Sequence, residues 1–157
     1  MYRDFLKHIY HEYGPVQTFI AHSFGGLSIC MALAELEHTT DTKLVLIAPA
    51  TETKTALDLF FDFLELNDPK VREEFEEIIV NISGHIPAWF SIGRALKTIH
   101  AKILWIHDED DTTTPLKDML EIQQEKHDNI EYLVTRGLGH RRIYRDAEVN
   151  RKIVEFV

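Results

Sequence analysis

The segment Ala21-His22-Ser23-Phe24-Gly25-Gly26 sets a serine among small residues, between a short apolar run and a helical pattern. A serine on a tight strand-to-helix turn adopts a backbone conformation that bulky residues two positions away would block, and Ala21 and Gly25 are small. A helix beginning past Ser23 aims its unpaired amides and positive dipole end at the hydroxyl. The backbone amide of Phe24 would then donate to an oxyanion formed at Ser23. Two further segments hold the groups that a serine nucleophile requires. His107-Asp108-Glu109-Asp110-Asp111-Thr112-Thr113-Thr114-Pro115 is rich in carboxylates, and Gly137-Leu138-Gly139-His140 offers an imidazole on a loop free to turn. His140 would take the proton of Ser23 and later give it to a leaving group, while an aspartate fixes the imidazole tautomer. That chemistry is acyl transfer through an acyl-enzyme, and it needs no cofactor.

These groups need a scaffold that brings them together. Tyr2, Phe5, Leu6, Ile9 and Tyr13 recur at helical spacing, and Gly14-Pro15 stops that helix. A short strand from Val16 to Ala21 follows, then a buried helix over 24–37 and a nearly continuous apolar strand over 43–48. Strand, helix, strand, helix resume at 102–107, 116–126, 130–135 and 147–157. Four strands separated by helices predict an α/β fold, a parallel sheet of about four strands with flanking helices. The serine, acid and histidine segments each follow a strand, and the carboxyl ends of parallel strands share one edge of the sheet. Residues 52–98 read as helical throughout, an insertion placed as a lid would be. Phe60, Phe61, Trp89 and Phe90 are its candidate pocket residues, because small-molecule pockets are lined mainly by apolar and aromatic side chains. His22 is expected at the rim.

The segments AHSFGG, ILWIHDEDDTTTP and GLGHRRIYRD resemble α/β-hydrolase fold proteins of the serine esterase/lipase type, and the likeness runs over essentially the whole chain. The resemblance implies Ser23 as nucleophile, His140 as base and, four residues before Pro115, Asp111 as acid. Two positions depart from the family pattern. Ala21 replaces the commoner glycine, and Asp108 stands where many relatives have glycine, which keeps Asp108 and Asp110 as rival acids. The family's complete sheet has eight strands, and this chain matches it from the helix before the fifth. A loop upstream of the elbow normally gives the second oxyanion donor. The resemblance therefore implies a hydrolase of small ester or related acyl substrates. The alternative is an impaired fragment, or a non-catalytic hydrolase-like binding subunit. The strand from Val16 to Ala21 would offer an unpaired edge for a homodimer.

Composition narrows the function classes. The chain has 157 residues, 45% hydrophobic and 27% charged, which suits one domain. A net charge of −9 disfavours nucleic-acid backbones. Its one basic stretch, Arg136, Arg141, Arg142 and Arg145, reads as a solvated face. No apolar run is long enough to span a bilayer, and the first residues mix charges instead of forming a leader. Cys30 is the only cysteine, which with the preceding points to a cytoplasmic protein. His8, His11 and Glu12 lack a further ligand at recognisable spacing, and Thr113 occupies the turn position where a calcium loop needs glycine, so no metal is expected.

Overall fold

The computed structural model describes residues 2–157. Four strands, β1 (Thr18–His22), β2 (Lys43–Ile47), β3 (Lys102–Asp108) and β4 (Ile130–Thr135), form one sheet in the order β1-β2-β3-β4. All neighbours are parallel, with Ala21 opposite Leu46, Leu46 opposite Trp105 and Asp108 opposite Thr135. β2 and β3 are nearly continuous in apolar residues because both of their faces are covered. Leu44, Leu46, Ile103 and Trp105 pack on one side with the helix α2 (Phe24–Leu33). Val45, Ile47, Leu104 and Ile106 pack on the other with Ile143 and with Val149 and Ile153 of the last helix, α8 (Ala147–Phe156). β1 lies at the edge of the sheet, and its Ile20, in register with Val45, stays 56% exposed.

α2 is apolar on every side, as a helix buried all round must be. Every residue from Gly26 to Leu33 is buried. The helix ends four residues before the expected 37, because the chain tightens through Glu35 N→Ala32 O (3.0 Å) and Leu36 N→Leu33 O (3.2 Å), the shorter-range bonds of a closing turn. The first helix, α1 (Tyr2–Tyr13), lies against α2. Leu6 and Tyr10 join the core, and Arg3 and Lys7 pair with Glu35 at 3.3 and 2.6 Å.

Between β2 and β3 come α3 (Thr53–Phe63), α4 (Pro69–Ser83), a 3-10 turn (Pro87–Trp89) and α5 (Ile92–Leu96). Asp68 caps α4 by accepting from Lys70 N (2.9 Å), Pro69 starts it, and Gly84 at φ +75° ends it. The span expected as a single insertion, 52–98, has two parts. α3 and α4 form an outer pair joined by the rings of Phe60, Phe61 and Phe75 and by Arg72 with Asp58 (2.6 Å). α5 instead buries Ile92, Ala95 and Leu96 in the main core. The neck is zipped by Thr53 N→Phe90 O (3.1 Å) and Ile92 N→Thr51 O (2.9 Å). After β3 come α6 (Leu116–Gln123) and, after β4, the short α7 (Gly139–Arg142), followed by a 3-10 turn (Ile143–Arg145). Among the described residues no helix is long and apolar enough to cross a membrane.

The elbow depends on one close approach. A Cβ on Gly26 would lie 2.5 Å from Pro49 Cβ and 3.2 Å from Pro49 Cα. A Cβ on Gly25 would meet only Ala21 Cβ, at 4.0 Å. Gly26→Ala is therefore expected to cost about 1–3 kcal/mol in urea unfolding, as overpacking does. Gly25→Ala should be neutral or gain up to about 1 kcal/mol, as glycine removal from a helix does.

Candidate active site

Ser23 follows β1 directly and precedes α2, at φ 56° and ψ −128°. Its amide donates to Ile47 O (3.1 Å), and its carbonyl accepts from Gly26 N (2.9 Å) and Ala50 N (3.0 Å). Its hydroxyl makes no capping bond to α2. Instead Ser23 Oγ lies 2.9 Å from His140 Nε2. On the other side of the ring, His140 Nδ1 lies 2.8 Å from Asp111 Oδ2 and 3.1 Å from Thr114 Oγ1. Asp111 accepts the amides of Thr113 (2.8 Å) and Thr114 (2.9 Å) on Oδ1 and the Thr114 hydroxyl (2.8 Å) on Oδ2. A carboxylate so supplied with donors has no proton to give, so Nδ1 carries the hydrogen and Nε2 offers its lone pair to Ser23. Burial works to raise the Asp111 pKa; the Thr114 amide, His140, the Thr114 hydroxyl and the Thr113 amide outweigh it and hold it below the ordinary carboxylate range.

Neither Asp108 nor Asp110 takes that place; both accept bonds from the loop that carries His140. Two residues that the sequence reading passed over belong to the site. Thr114 supplies two of the bonds on Asp111, and nothing in its spacing marks it out. His107 is buried at the end of β3, where Trp105 Nε1 donates to its Nδ1 (3.4 Å) and its Nε2 donates to Thr114 O (2.7 Å). Burial lowers its pKa and prevails over the opposing bond to Thr114, so His107 is neutral and braces the acid loop. His22 donates from Nε2 to His140 O (3.0 Å), with its ring 4.7 Å from that of His140 and 4.8 Å from that of Tyr144. Burial lowers its pKa as well.

A cavity of about 250 Å³ lies beside the elbow, walled by Phe24, Leu27, Met31, Thr53, Ile79 and Phe90 among others. Of the four aromatic residues expected at a pocket, Phe90 alone lines it. Phe60 and Phe61 pack on Phe75, because the outer helical pair needs a small core of its own. Trp89 is sandwiched between His85 (3.8 Å) and Arg94 (3.7 Å). Three arginines of the basic stretch are spent locally: Arg142 bonds the carbonyls of Gly137 and Leu138, Arg136 pairs with Glu109 (3.5 Å), and Arg145 meets Tyr144. Cys30 is fully buried, which pushes its thiol pKa up and leaves it unreactive.

No protein-family model matches the chain, and no curated protein matches it. Solved structures do. An esterase of Pyrococcus furiosus superposes with a TM-score of 0.66 at 17% identity, over 96% of this chain and 57% of that one. Acetyl xylan esterase 1 of Thermoanaerobacterium gives 0.66 at 17% identity, over 96% and 49%. A monoacylglycerol lipase of Paleococcus ferrophilus gives 0.62 at 19% identity, over 98% and 72%. This chain thus spans about half the length of the first two. At such identities the likeness is one of fold, and the fold of this chain is a partial α/β-hydrolase fold.

Proposed function

We propose that this chain is a serine hydrolase of ester or related acyl bonds, in which Ser23, His140 and Asp111 act as nucleophile, base and acid. The single observation that carries the reading is the unbroken relay from Ser23 Oγ through the imidazole to Asp111, at 2.9 and 2.8 Å. His140 Nε2 takes the serine proton as Oγ attacks the acyl carbon. Asp111 stabilises the imidazolium so formed, and the ring then delivers the proton to the departing group. Water repeats the cycle on the acyl-enzyme. The Phe24 amide, in the first turn of α2, is not spent within the helix and would face the oxyanion. The apolar cavity beside Phe24 suits a small acyl or aryl group, and α3 with α4 would serve as the lid above it.

The open edge of β1 favours a second reading. There the chain is a hydrolase-like subunit, and a strand from a second copy pairs along β1. Removal of one of two oxyanion donors costs about a hundredfold or more in turnover, so a copy offering the Phe24 amide alone would be slow. Light scattering with a nitrophenyl-ester assay separates the two. A fully active monomer dismisses the second reading.

A fluorophosphonate probe tests the first. Intact-mass analysis should find one adduct, at Ser23, and Ser23→Ala should abolish it. Asp111→Asn should slow acylation on the order of a thousandfold or more, because the imidazole loses its tautomer. A folded parent chain that stays unlabelled would overturn the reading.

Acid should weaken the fold that holds the site. His107 and His22 have folded pKa values below their ordinary value, so the unfolded chain binds more protons near pH 6.5 and stability falls as pH drops through that range. Asp111 and Asp108 also lie below their ordinary value; their contribution is present above the unfolded carboxylate pKa and is lost as pH falls through the folded one. Urea midpoints should therefore decline in two stages on acidification, and His107→Gln should flatten the upper one.

A further inference from the structure

The three amides that precede His140 all point into carboxylates. Gly137 N donates to Asp110 Oδ2 (2.9 Å), Leu138 N to Asp108 Oδ2 (3.1 Å) and Gly139 N to Asp108 Oδ1 (2.8 Å). Gly137 at φ +82° and Gly139 at φ +58° turn the backbone so that successive amides face one side, as in an anion-holding nest. The anion in this nest is Asp108, which is 0% exposed at the end of β3. Asp108 accepts two more bonds, from the Thr135 hydroxyl (2.6 Å) and the Asp110 amide (3.0 Å). The carbonyls of Gly137 and Leu138 accept from Arg142.

This arrangement has a consequence for His140. Its ring must meet Ser23 and Asp111 at once, and such constellations tolerate errors of about 0.5 Å. Yet the ring hangs from a segment with two left-handed glycines, the backbone type with the most freedom. Asp111 and Thr114 hold only the ring. Fixing its backbone requires something else: His22 Nε2 holds the His140 carbonyl, and on the side leading into His140 the amides of Leu138 and Gly139 donate to the oxygens of Asp108.

We propose that Asp108 is a positioning residue that sets the backbone of His140, so that the imidazole reaches Ser23 and Asp111 together. The proposal rests on reading those three residues as base, nucleophile and acid. Asp108 does not touch the reacting atoms. It acts by tying the loop after β4 to the end of β3, with Thr135 aiming its carboxylate and Arg142 bonding the carbonyls of the same loop.

The test is Asp108→Asn in the full chain, which keeps the volume but turns an amide NH₂ toward backbone donors. Three quantities are read: urea stability, the kinact and KI of fluorophosphonate labelling, and the downfield imidazole N–H proton resonance of His140. In folded Asp108→Asn, kinact should fall about a hundredfold, as a small misplacement of a reacting group does, with KI within about threefold. The imidazole resonance should broaden or vanish, and the Leu138 and Gly139 amides should exchange faster. Asp110→Asn, which releases only Gly137, should change kinact by less than about threefold. A folded Asp108→Asn with parental kinact and resonance would reduce Asp108 to a stability role and overturn the proposal. If that variant does not fold, Thr135→Val loosens the aim of Asp108 without altering the loop, and a parental kinact there would overturn it equally. If the parent chain is not labelled at all, the hydrolase reading fails, while the resonance and amide exchange still decide whether Asp108 holds His140 in place.

Discussion

A serine held at φ 56° and ψ −128° carries a backbone cost of order 1–3 kcal/mol, and the surrounding structure has to sustain it. The bonds that do so run sideways from one strand end to the next. Ser23 N continues the ladder of β1 and β2 by reaching Ile47 O, while Ala50 N returns to Ser23 O. Ala48, itself at φ 42°, donates to Ile106 O of β3, and its carbonyl lies 3.2 Å from Thr114 Oγ1. Thr114 in turn holds Asp111, and Glu109 N reaches Thr135 O of β4. The strained elbow is therefore one end of a stitched row of strand ends. α2 locks the row from below, because its buried surface and the Gly26–Pro49 contact leave it no room to shift.

The same row is crowded with buried polar groups. His107, Asp108 and Asp111 all lie out of solvent, where an unpaired charge would be ruinous. Each is satisfied: His107 through Trp105 and Thr114, Asp108 through four donors, and Asp111 through two amides, a hydroxyl and the imidazole. Pairing this complete leaves few ways to rearrange. A carboxylate that turned would abandon donors that water cannot replace, and this fixes the imidazole tautomer more firmly than the Asp111 bond could alone.

Much of this was legible in the sequence. The strands expected at 43–48, 102–107 and 130–135 match β2, β3 and β4 within a residue; for β2 and β3 this is because apolar runs covered on both faces announce themselves, whereas β4 is an edge strand with no fully buried residue. β1 begins two residues later than expected and ends one later, at a sheet edge where burial does not define the limits. The serine, acid and histidine segments could be found because each follows a strand. Less visible were the contacts that periodicity does not encode. Asp108 and Asp111 differ in which donors surround them, loop amides and the Thr135 hydroxyl against the His140 ring with the amide and hydroxyl of Thr114, and no periodicity encodes that choice. Gly26, not Gly25, proved the crowded glycine, since the crowding comes from Pro49 on a different segment. Phe60 and Phe61 gave a true aromatic stripe, but its partner was Phe75 two turns into the next helix.

Rigidity is unevenly shared between the groups that would do chemistry and those that would choose a substrate. The strand ends are stitched and buried, whereas no residue of α4 is buried and its Ile78 and Ile82 face solvent. Elements with so few buried contacts open at lower free energy than the core. The cavity beside Phe24 has walls from both populations: Leu27 and Met31 belong to the buried α2, Ile79 and Ser83 to α4. Thr53 and Phe90 sit between them, joined by a backbone bond at the neck. Movement of the outer pair about that neck would change the volume and mouth of the cavity while leaving Ser23, His140 and Asp111 undisturbed, because none of their hydrogen bonds crosses to α3 or α4. In the proposed hydrolase, selection of the acyl group and the chemistry at Ser23 would thus vary independently.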